Sequence, residues 1–177
     1  KRASDPDRVN RLLDDLSGGP AERAAALDTL RNTGTPVVPQ MLARLANTSD
    51  NDRNVILGAL VRMGDVVVPP MVGAIESPDP KVQIAGMDTL SYLGTPNEAA
   101  FLWRPGFGPN EPAGVQSAAR NALNRILTPD GQRNYRATPA GIAQEIKREA
   151  LKHYRGQYDW KLPEGKNTVT LWTWDAQ

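Results

Sequence analysis

The sequence predicts an all-α chain, a solenoid of stacked antiparallel helix pairs followed by one further helix and a short extended tail. Three observations carry this prediction. The chain overlays itself at a shift of 30 residues: Leu27, Leu30, Gly34, Pro39, Met41 and Leu45 fall on Leu57, Leu60, Gly64, Pro69, Met71 and Ile75, and Met87, Leu90 and Gly94 follow one interval later. Apolar residues return at helical spacing within each interval, as in Ile56, Leu57, Leu60 and Met63. A glycine stands at the same place in each interval, followed in two of them by Thr-Pro.

Residues 6–17 read as the second helix of an incomplete first unit, because Val9, Leu12, Leu13 and Leu16 share the spacing of Val38, Met41, Leu42 and Leu45. First helices are expected over about 21–33, 51–63, 79–93 and 113–127. Gly34, Gly64 and Gly94 end the first three, since glycine accepts positive φ at little cost. The fourth follows at a shift of 33, which lays Val82, Gln83, Ala85 and Leu90 onto Val115, Gln116, Ala118 and Leu123. Second helices are expected over 36–47, 66–77 and 96–104, with proline in the first turn, where its missing N–H costs nothing. Ser49-Asp50 and Ser77 to Pro80 form turns that cap the following helices. Ala25, Ala85 and Ala118 are small enough to let neighbouring helices approach.

Two departures from the pattern stand out. Phe101 to Pro109 holds two prolines and two glycines within five residues, and is expected to break the third unit. Arg120 occupies an apolar position of the fourth, so regular packing is not expected there. A helix of about 12 residues is only ~18 Å long. One pair alone cannot bury its apolar stripe, so each unit depends on its neighbour.

Beyond a loop at 129–137, Thr138-Pro139 is expected to start a helix reaching about Gly156, with Ile142, Ile146, Ala150 and Tyr154 as its apolar stripe. Lys147, Arg148, Lys152 and Arg155 would form a solvated basic face. Residues 168–174 alternate at period two and read as a strand with Trp172 and Trp174 on one side. Such a strand must lie on the helices, pair with another chain, or belong to a following domain. The sequence thus divides into a repeat array over 1–129 and a helix with a Trp-containing tail over 130–177. Its start without Met and its abrupt end suggest a piece of a longer protein.

The residues Ala26-Leu27-Asp28-Thr29-Leu30 to Gly34, Ile56-Leu57-Gly58-Ala59-Leu60 to Gly64, and Gly86-Met87-Asp88-Thr89-Leu90 to Gly94 resemble HEAT repeats. Their 30-residue interval is most similar to the short phycobilisome-lyase HEAT-like repeats. The resemblance covers roughly residues 6–129. It implies a right-handed α-solenoid whose second helices line the concave side. Repeats of this kind occur in bilin lyases, hydroxylases and scaffolds, so the resemblance speaks for architecture more than activity.

Composition narrows the chemistry. Cysteine is absent, which excludes disulfides, thiol catalysis and cysteine-held zinc. His153 is the single histidine and falls on the basic face of the terminal helix, away from any serine-acid arrangement. No phosphate loop or dinucleotide fingerprint is present. Neither a catalytic residue, a metal site nor a cofactor is expected. The net charge of +1 divides into −2 over residues 1–132 and +3 over 133–177, too little for a strong nucleic-acid surface. No uninterrupted apolar run of membrane-spanning length occurs.

The expected function is therefore a non-catalytic protein-binding or scaffold module, with a protein partner or a neighbouring domain of the same chain. Candidate contacts are Gln40 and Arg44 on the second helices, Trp103 and Phe107 in the irregular stretch, and Trp172 and Trp174 in the tail. Other outward positions of the second helices are Arg8, Arg11, Pro70 and Glu76. The alternatives are a bilin-lyase-like protein and a DNA-binding protein resembling the HEAT-like alkylpurine glycosylases. A small-molecule ligand is left open.

Overall fold

The structure is a computed structural model that describes residues 5–128, 138–157 and 172–174. The expected loop at 129–137 and most of the expected strand, 168–171, lie outside these residues. Among the described residues the chain is all-helical, without a strand. Its α-helices are α1 (Pro6–Asp15), α2 (Pro20–Thr33), α3 (Val38–Ala46), α4 (Asp50–Met63), α5 (Val68–Ala74), α6 (Pro80–Leu93), α7 (Ala99–Phe107), α8 (Ala113–Leu127) and α9 (Pro139–Tyr154).

Local chemistry explains the boundaries. Asp5, Ser49, Asp79 and Thr138 cap α1, α4, α6 and α9, each accepting a hydrogen bond from a backbone N–H of the first turn. Short 3₁₀ turns, Thr35–Val37, Gly64–Val67 and Pro96–Glu98, lead into α3, α5 and α7. Thr95 and Glu98 close the last of these with a reciprocal capping box. Gly34 and Gly64 have φ of 73° and 78° with ψ near −150°, a region essentially confined to glycine. Gly94 differs from the expectation: its φ is −68°. A Cβ there would lie 2.5 Å from Leu90 O of α6 and 2.8 Å from Ile126 Cδ1 of α8, so lack of room rather than a positive φ calls for this glycine.

The helices pack in two rows. One row runs α2, α4, α6, α8, each touching the next; the other runs α1, α3, α5. Across the rows α1 packs on α2, α3 on α4, α5 on α6 and α7 on α8, and α9 covers α7. These cross-row pairs straddle the 30-residue intervals and join the second helix of one interval to the first helix of the next; α3 also packs on α6, and the most extensive packing of all is between α6 and α8. The shared core contains Leu30, Met41, Leu45, Leu60, Met71, Met87, Leu90, Leu102 and Leu123, all fully buried. Within residues 51–74 an 18-residue window reaches a mean hydropathy of 1.7, enough by length and composition alone to cross a membrane. The stretch is interrupted at Gly64, and its Ile56, Ala59, Leu60, Val67 and Met71 belong to this core.

Several expectations are corrected. Pro105 does not break the third unit; α7 runs through it to Phe107. The carbonyl its ring deprives of a partner belongs to exposed Phe101, while Leu102, Pro105 and Gly106 are buried against α8. The core register continues with one extra residue, Ala99, Leu102 and Gly106 standing 31 positions after Val68, Met71 and Ile75. Arg120 does not disturb α8. It reaches across to α7, where its Nε donates to Gly106 O at 2.6 Å and its guanidinium lies 5.1 Å from the Phe107 ring centre. Ala25 is exposed and Ala26 is buried in its place, because α2 ends its row and has a row neighbour on one side only. On α9 Ile142 is buried and Ile146 half-buried, but Ala150 and Tyr154 are exposed beyond the part that meets α7.

Candidate functional site

Residues Trp172 to Trp174, outside any helix or strand, lie against α3 and α5. They border a cavity of about 250 Å³ whose helical walls are Val38, Pro39, Leu42, Pro70, Gly73 and Ala74. Both tryptophans are half-buried and Thr173 is exposed. Trp174 also packs against the main core. Pro70, expected to face outward, is buried here, and so is Gly73.

The helix surface under the tail differs from the equivalent surface one interval earlier. Gln40, Ala43 and Arg44 of α3 correspond to Pro70, Gly73 and Ala74 of α5. The amide, one methyl group and the guanidinium have all been removed. Gln40 is half-buried on α3, and Arg44 reaches α1, where its Nη2 contacts Asp14 Oδ1 at 2.6 Å. Trp103 and Phe107 are not with this group. They lie on α7, half-buried, with ring centres 5.2 Å apart. The outer side of α7 instead contributes Phe101 and Arg104 to a groove of about 420 Å³ shared with Val72, Ile75 and Glu76. Phe101 is 54% exposed there, and Arg104 pairs with Glu111 at 3.6 Å.

A second surface runs along the first-helix row. Two cavities, of about 370 and 620 Å³, share Asn54, Gly58 and Arg62 of α4. Arg23 and Leu27 extend this surface over α2, and Asp88, Tyr92 and Asn121 extend it over α6 and α8. Tyr92 is 59% exposed, with the Arg125 guanidinium 4.0 Å from its ring centre. Burial raises the Asp88 carboxyl above its ordinary range, and the Arg53 guanidinium 3.6 Å away opposes the shift without cancelling it.

Sequence reasoning named Pro70 among the second-helix positions of a candidate ligand face but missed Gly73 and Ala74, although the loss of polar side chains relative to Gln40, Ala43 and Arg44 was a visible signal. It also missed the first-helix surface, whose one signal is Gly58 in the middle of a helix. Chemistry has little to work with in either place. Among the described residues no group of three His, Asp or Glu side chains converges to hold a metal, and His153 is exposed near the end of α9. Compared with models of protein families, with curated proteins and with solved structures, the chain matches none.

Proposed function

We propose that the chain is a right-handed HEAT-like α-solenoid that acts as a non-catalytic polypeptide-binding or scaffold module. The observation that supports this most directly is the segment 172–174 lying against α3 and α5. A helix row that seats one extended stretch of chain offers the shape and apolarity that another stretch would need. The two rows add long surfaces whose contacts are spread over several helices, the usual recognition mode of stacked repeats.

The test is selection of peptides from a displayed library on the full chain carrying Trp172→Ala and Trp174→Ala, so that its own tail leaves the α3–α5 surface open, followed by hydrogen exchange of the complexes. Selected peptides are expected to slow exchange in α3, α5 and α7. No enrichment, or protection confined to α9, would reject the module. Small-angle scattering examines the architecture separately: a solenoid gives an elongated particle, and a spherical profile contradicts it.

A further inference from the structure

We propose that the α3–α5 groove is a recognition site for an extended Trp-Xaa-Trp segment, which the chain's own Trp172-Thr173-Trp174 fills as an intramolecular ligand. The inference rests on the reading of this chain as a binding module and names the chemistry that one of its surfaces selects.

Complementarity at Gly73 carries the argument. A Cβ on this residue would lie 3.0 Å from Trp172 O, 3.1 Å from its carbonyl carbon and 3.3 Å from its Cβ. The tail backbone therefore rests directly on the helix backbone, and any side chain at position 73 would lift it. Glycine is a poor helix former, and α5 is only seven residues long, so nothing in the helix itself favours it. Its φ is not positive, so the turn geometry that explains Gly64 does not apply. Close approach of the tail is the explanation the structure supplies.

The neighbouring substitutions point the same way. Pro70 and Ala74 flank Gly73 where the preceding interval carries Gln40 and Arg44. A proline ring and a methyl group offer an apolar bed for indoles, whereas an amide and a guanidinium would each need polar partners beneath them. Val38, Pro39 and Leu42 supply the opposite wall. Two indoles spaced two residues apart project to the same side of an extended chain, and the exposed Thr173 between them leaves the middle position unselected. The ligand this surface fits is thus an extended peptide with aromatic rings at alternate positions and a free choice between them.

A tethered segment competes with a free one at an effective concentration on the order of millimolar. Wild type should therefore bind an added copy of the tail poorly, and a chain with its own tail disabled should bind it well. The experiment uses full-length Trp172→Ala/Trp174→Ala protein and a fluorescein-labelled peptide of residues 166–177, read by anisotropy. The double variant is expected to bind at least tenfold more tightly than wild type. Replacing both tryptophans of the peptide by alanine should abolish binding. Adding Gly73→Val to the double variant should weaken binding tenfold or more; Gly73→Ala, which leaves the helix intact, should weaken it less. Melting curves of the two Gly73 variants show whether a loss of binding reflects unfolding.

Three results would overturn the proposal: equal binding by wild type and the double variant, no binding by either, or binding indifferent to both Gly73 changes. A wild-type dimer that the double variant dissolves would assign the tail to the groove of a second copy and overturn intramolecular occupancy. Failure of the library selection leaves these arms readable, since they use a defined peptide; failure here leaves the other surfaces of the module standing.

Discussion

At the residue scale, one glycine inside α4 and one just past its end show how the same amino acid serves opposite ends. Gly64 closes the helix at φ 78° with nothing within 4 Å of a Cβ, so its requirement is entirely in the backbone. Gly64→Ala is expected to cost about 1–3 kcal/mol, the range for a residue held in a sparsely populated region. Gly58 lies inside α4, where a Cβ would meet only the tip of Arg62 at 3.5 Å. Gly58→Ala should stabilise the fold by up to about 1 kcal/mol, the helix-propensity difference. Urea titration of the pair should move the midpoints in opposite directions, and a shared direction would refute the distinction.

Asp88 gives a pH signature at the same scale. Its folded pKa is raised, first by burial, above the unfolded value near 3.8. Folding is therefore favoured most when the carboxyl is protonated, below pH 3.8, and that contribution is lost as pH rises through the raised folded value. An Asp88→Asn protein lacks this dependence. Its stability relative to wild type should increase from acid towards neutral pH, measured as a difference in melting temperature. An opposite slope would mean that the Arg53 contact outweighs burial.

Elements raise a different question: how α7 remains a helix through Pro105. The contact that holds it comes from α8, through Arg120 on Gly106 O and Phe107. Arg120→Ala should destabilise the protein by about 1–2 kcal/mol, toward the lower part of the range for a hydrogen bond to a charged group, because the residue is exposed. The more telling readout is hydrogen exchange. Amides at the C-terminal end of α7 should exchange faster while those of α2 and α4 keep their rates; uniform acceleration would show that Arg120 has no local role. The helix periods were legible from Leu27 to Leu90. Continuation past Pro105 was not, because it depends on a residue 15 positions later, and local propensity alone argues against it.

At the scale of the whole molecule, the described helices form a packing in which α4 and α6 touch row neighbours on both sides. Leu60 lies at its centre, fully buried. Leu60→Ala should cost about 2–5 kcal/mol, as large-to-small changes in a core do. Because every row helix rests on the next, the loss should spread: exchange in α2 and α6 should rise together with that in α4. Protection lost in α4 alone would mean that the rows are not energetically continuous.

Sequence alone determined the helix content, the 30-residue interval and most helix boundaries, since these follow from side-chain period, capping residues and the conformations open to glycine and proline. It also marked Trp172 and Trp174 as a pair sharing one side. Tertiary structure decided what those tryptophans meet, and that Pro70 and Gly73 rather than Gln40 and Arg44 line their groove. It also decided that Gly94 is called for by crowding from Leu90 O and Ile126 rather than by a positive φ, and that α7 survives its proline. The physical reason is range. Period and capping act within one or two helical turns, whereas these outcomes depend on atoms brought together from about 15 to more than 100 residues away, which no local pattern records.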